Sequence, residues 1–212
     1  MKNELILSRD AYPELVACLE SMGFSLRFSG TLDKVAYPIR NHADLLYCRL
    51  KDGEVFTGDS EKLRDTYPGD CIYNAFSTGR YFIHDLGITD PELLKRAEEL
   101  ELIPVSVRQG YSNCSIVPVD EGSIITYDRG ISVKARAAGI DVLEIEPGHV
   151  ELEGYDTGFL GGASGKAGDT IVFNGDLSEH PDFGRICSFI EERGLRVRFF
   201  EGLPLKDIGS VI

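Results

Sequence analysis

The chain has 212 residues, 42% apolar and 27% charged, enough for one sizeable core and free of the polar or proline-rich tracts that mark disorder. One domain spanning residues 1–212 is expected. A formal net charge of −13 excludes a sequence-independent grip on nucleic acid, which needs clustered lysine and arginine, and suits a cationic or neutral small ligand better.

The chain opens on MKNELILSRD, whose apolar stretch is too short for a signal-peptide core, and no membrane-length apolar run follows. A cytoplasmic protein without a membrane partner is expected. Short apolar strands ending in aspartate then recur: LILSRD to Asp10, EVFTGD to Asp59, RYFIHD to Asp85, SIITYD to Asp128 and TIVFNGD to Asp176. After four of these aspartates comes a helix-like stretch, in order AYPELVACLESMG, DPELLKRAEEL, GISVKARAAG and SEHPDFGRICSFIEERG. Pro, Ser, Asp or Glu occupy the first turns, and two stretches end at Gly139 and Gly194, as helix ends prefer. Each returns as an extended run closing on glycine: FSLRFSG, LIPVSVRQG, DVLEIEPG and RVRFFEG.

A further strand precedes three of the aspartate-ending strands, joined to it by a tight turn at Asp52-Gly53, Thr78-Gly79 or Glu121-Gly122. The unit therefore reads ββαβ, five times over. Unit two is abbreviated, since only SEKLRDTYPG separates Asp59 from Asp70. Unit one lacks its first strand, and the C-terminal segment DIGSVI, Asp207 to Ile212, is expected to supply it, closing a ring without exposed sheet edges.

Five ββαβ units resemble the pentein, or α/β-propeller, fold. That superfamily includes guanidine-modifying enzymes (deiminases, dimethylarginine hydrolases, amidinotransferases) and translation initiation factor six, a ribosome-binding protein. The wording GYSNCSIVPVDEGSIITYD…GIDVLEIEPGH is also similar to a clostridial-type family of uncharacterised pentein-like proteins. The resemblance implies that first strands enter a central channel. Counting back from each turn glycine aligns Asp44 with Asp70 and Asn113, and spacing adds Asp207 and Gly161. Converging carboxylates are tolerated where a planar guanidinium accepts paired hydrogen bonds, although Asp and Asn also cap strand ends and make Asx turns.

The resembled deiminases use a Gly-His-(Ile/Val)-Asp motif and a C-terminal nucleophilic cysteine. Here the matched run is Gly110-Tyr111-Ser112-Asn113, and Ser210 stands where the cysteine would be. Standard deiminase chemistry is not expected, because an unassisted serine is a poor nucleophile at neutral pH. The five cysteines, Cys18, Cys48, Cys71, Cys114 and Cys187, are odd in number, with no CxxC pair and no zinc-like Cys/His spacing. Reduced thiols, no metal and no cofactor are expected. Strand alternation turns Cys71 and Cys114 away from the channel into the layer beneath the helices.

His42, two residues before Asp44, and His149, on the loop between units four and five, are the acid or base candidates should they reach the channel, while His84 and His180 are peripheral. The connections 31–43 and 149–158, with Tyr37, Arg40, Glu153, Tyr155 and Asp156, are candidate walls of a binding site.

GFLGGASGKAGD, residues 158–169, is not a phosphate loop, because it precedes a strand instead of following one, and Ala167 follows Lys166 where Ser or Thr is needed. Register makes Gly161-Gly162 the counterpart of Asp44-Leu45, a wall without side chains that a ligand or a neighbouring loop can approach closely. The ligand-binding candidates are thus Asp44, Asp70, Asn113, Gly161, Gly162, Asp207, His42, Tyr111, His149 and Ser210. The leading expectation is an acidic channel binding a small cationic or guanidino-type ligand. The alternatives are a protein-interaction module resembling initiation factor six and a guanidine-modifying enzyme with a displaced nucleophile.

Overall fold

A computed structural model describes residues 4–212. It is a mixed α/β structure of five small sheets and four α-helices, with no closed barrel among the described residues. β1 (Glu4–Leu7), α1 (Pro13–Ser21) and β2 (Ser25–Phe28) come first, the strands pairing in parallel from Glu4↔Ser25. β3 (Tyr47–Arg49) and β4 (Val55–Thr57) form an antiparallel hairpin followed by only a short 3-10 turn, Ser60–Lys62, and no α-helix. Its turn puts Asp52 and Gly53 at φ 57° and 78°, the left-handed pair that a tight hairpin requires.

The next three sheets share one order: an antiparallel pair, a helix, and a third strand parallel to the second. They are β5 (Phe76–Ser77), β6 (Tyr81–His84), α2 (Pro91–Glu99) and β7 (Ile103–Ser106); β8 (Val117–Asp120), β9 (Ser123–Thr126), α3 (Arg129–Ala137) and β10 (Asp141–Glu144); and β11 (Ser164–Ala167), β12 (Thr170–Phe173), α4 (Phe183–Glu191) and β13 (Arg196–Arg198).

Burial explains the pattern. The middle strands β6, β9 and β12 are buried at every residue, which is why they read as continuous apolar runs. Each helix buries one stripe at i, i+4 spacing: Leu15 and Leu19, Leu93 and Ala97, Ile131 and Ala135, Ile186 and Ile190. The recurring strand-end aspartates serve turns and caps. Asp59, Asp85, Asp128 and Asp176 each accept a backbone N–H two or three residues on, from Glu61, Gly87, Ile131 and Ser178 at 2.8–3.0 Å.

The C-terminal segment lies between the first and last sheets. Ile212 and Ile6 exchange backbone hydrogen bonds of 2.7 and 2.8 Å, and Val211 N donates to Ser164 O at 2.9 Å. Among the described residues, no helix is long and apolar enough to cross a membrane.

Candidate functional site

The residues ahead of the first strands are not themselves extended. Asp44 lies in a short 3-10 turn, Ala43–Leu45, and Asp70, Asn113 and Gly161 lie in tight turns before β5, β8 and β11. Cys114 meets Asp44 here: its thiol donates to Asp44 Oδ2 at 2.8 Å, beside Asn113 Nδ2 at 3.2 Å and Ser210 Oγ at 3.0 Å.

Three donors thus converge on one oxygen of Asp44. Its other oxygen, Oδ1, is buried and meets no partner. Asn74, which the sequence reading passed over, stitches the two turns together. Its Oδ1 accepts from Asn113 N and Cys114 N at 3.0 and 3.3 Å, and its Nδ2 donates to Asp44 O at 3.3 Å.

Asp207 stands on the other side. Its carboxylate accepts from Phe159 N at 2.9 Å and Gly209 N at 3.0 Å, and lies 3.9 Å from His42 Nδ1. Donor atoms of His42, Asp44 and Cys114 all fall within 4.8 Å of one another, and all three residues are buried. Burial sets the protonation states. Desolvation raises the Asp44 pKa and lifts that of Asp207 to about 6, while it lowers that of His42 and pushes the Cys114 thiol well above its usual range. At neutral pH the centre therefore holds a neutral imidazole and a protonated thiol. Among the described residues, neither Asp44 nor Asp207 has a lysine or arginine ion-pair partner.

Of the residues singled out from the sequence, His42, Asp44, Asn113, Gly161, Gly162, Asp207 and Ser210 come together. Asp70 and Tyr111 pair with each other instead, the phenol donating to Asp70 Oδ2 at 2.6 Å while Asp70 Oδ1 stays buried without a partner. His149 lies elsewhere. It neighbours Glu146 and His180 and lines a groove of about 910 Å³ with Glu153, Tyr155 and Asp156. Gly161 and Gly162 are not an open wall, because other parts of the chain fill the space. A Cβ on Gly161 would lie 2.6 Å from the Ile116 carbonyl carbon, and one on Gly162 would lie 2.5 Å from Asp207 Cγ.

A cavity of about 50 Å³ lies beside Asn113 and Ser210. Its lining draws on β3 through Arg49, β5 through Phe76, β8 through Pro118, β11 through Lys166 and the C-terminal segment through Ser210 and Val211. Asn113 and Ser210 separate it from Asp44.

The thiols offer no prepared nucleophile: Cys48, Cys71 and Cys114 are buried, and desolvation raises the pKa of each, Cys48 to about 12. Under native conditions iodoacetamide should label Cys18 and Cys187 and spare these three, as read by mass mapping. Fast labelling of Cys114 would reveal a thiolate that this geometry does not provide.

Fold and centre together define a mixed α/β protein with a buried His/Asp/Cys cluster where segments of several sheets meet. A family model, described as a family of unknown function (DUF6873), matches residues 55–212, and the chain belongs to that family. No curated protein and no solved structure matches the chain.

Proposed function

We propose that the five sheets are blades of a pentein-type propeller and that its centre binds a cation, the guanidino group of a small molecule being the class that the resemblance implies. One observation carries the reading. Asp44 is fully buried, keeps an oxygen without a partner, and has among the described residues no lysine or arginine to neutralise it. Such a carboxylate is costly unless a cation completes it. A small cavity lined from four first strands and the C-terminal segment supports the blade arrangement.

Binding is favoured over deimination. Tyr111 and Ser210, at the positions where the resembled enzymes carry histidine and cysteine, hold carboxylates by hydrogen bonds. Calorimetric titration of the full chain with agmatine, arginine and creatine should give one site, weakened about 100-fold by Asp44→Asn. Flat titrations with all three would remove the guanidino class.

The narrowness of the cavity favours a second reading, a protein-interaction module resembling initiation factor six. Crosslinking in native lysate that returns one stoichiometric protein partner, together with flat guanidino titrations, would select it.

A further inference from the structure

We propose that the cation at the centre is a divalent transition metal of the zinc type, held by one ring nitrogen of His42, a carboxylate oxygen of Asp44 and the sulfur of Cys114. This rests on the reading that the centre takes a cation, and it names that cation. The donor atoms lie within 4.8 Å of one another, and a tetrahedral ion bound at about 2.0–2.3 Å would draw them to about 3.3–3.8 Å. Asp44 Oδ1 supplies a lone pair that nothing else uses, since the three neighbouring donors all address Oδ2.

The donor set also selects the metal. Thiolate and imidazole favour zinc and its neighbours over magnesium or calcium, which prefer all-oxygen shells. Asp207, 3.9 Å from His42 Nδ1, stands where a second carboxylate orients a metal-bound imidazole. Zinc-like spacing is not visible in the sequence because Asp44 and Cys114 are 70 residues apart, on different turns. On binding, the Cys114 thiol gives its proton to solvent and the thiolate takes the ion, with no change of oxidation state.

The test uses the full-length chain stripped by a chelator and titrated with Co²⁺ and then Zn²⁺. One ion per chain is expected, with a sulfur-to-cobalt charge-transfer band that Cys114→Ser abolishes. Asp207→Asn, with unchanged far-UV circular dichroism, should weaken the metal about 10–100-fold. Absence of that band in the unmutated protein, which depends on no variant folding, overturns the metal. If guanidino compounds bind while cobalt gives no band, the metal falls and the cation-binding centre stands. If neither binds, both fall; if metal alone binds, only the guanidino class is lost.

Discussion

Gly161→Ala is expected to destabilise the protein by about 3 kcal/mol and to lower its Tm by about 6–12 °C. The added methyl would meet backbone on two sides, the carbonyls of Cys114 and Ile116, and not the yielding end of a side chain. Relief requires the turn at 160–163 to move. That turn is pinned by Gly162 N donating to Cys114 O at 2.8 Å and by Ser210 Oγ, which shares its one proton between Asp44 Oδ2 and Gly161 O, the latter at 3.1 Å. Moving it costs these bonds as well as the packing, and it displaces Ser210 from the centre.

Gly184→Ala is the matched control. Gly184 sits exposed in α4 with nothing within 4 Å of an added Cβ, so the same methyl should stabilise by about 0.5–1 kcal/mol. Denaturant unfolding of both variants checks the pair. A Gly161→Ala protein as stable as the parent would mean that the glycine marks open space after all.

Local order was legible in the sequence because it depends on short-range pattern. The stretch DPELLKRAEEL became α2, Pro91–Glu99, with Asp90 accepting from Glu92 N and Leu93 N as its cap. The return run LIPVSVRQG became β7 in parallel register with β6. Counting along repeats also led to Asp44, Asn113 and Asp207, since equivalent positions in similar units fall in similar places, while Ser210 came from the resemblance to the deiminases.

What the sequence hid is non-local or depends on the exact end of a strand. Alternation along a strand could not show that Cys114 meets Asp44, because β8 begins at Val117, three residues after it. Asp70 aligns with Asp44 by counting, yet the Tyr111 phenol claims it from a neighbouring turn. Asn74 had no visible signal, since its four contacts join turns far apart in the chain. Gly161-Gly162 was correctly marked as a place of close approach, but pattern could not say that the approaching group is the chain's own backbone and Asp207.

Asp44→Asn is expected to leave the cation-free protein as stable as the parent or more stable, by on the order of 1 kcal/mol, while removing cation binding. The amide oxygen can replace Oδ2 and accept from Asn113, Cys114 and Ser210. The amide nitrogen then occupies the Oδ1 position, so that one buried polar group without a partner replaces another. The substitution removes a carboxylate whose charged form burial already disfavours, so folding loses little or gains. A residue with a purely architectural task would behave oppositely, its replacement costing stability and sparing the ligand. Chemical unfolding in chelator, set beside cobalt and agmatine titrations of the same variant, separates the two. A loss of more than about 2 kcal/mol with binding intact would make Asp44 a structural hydrogen-bond hub. Retained stability with lost binding would mark it as a carboxylate kept at the centre at a cost to folding, for the cation that completes it.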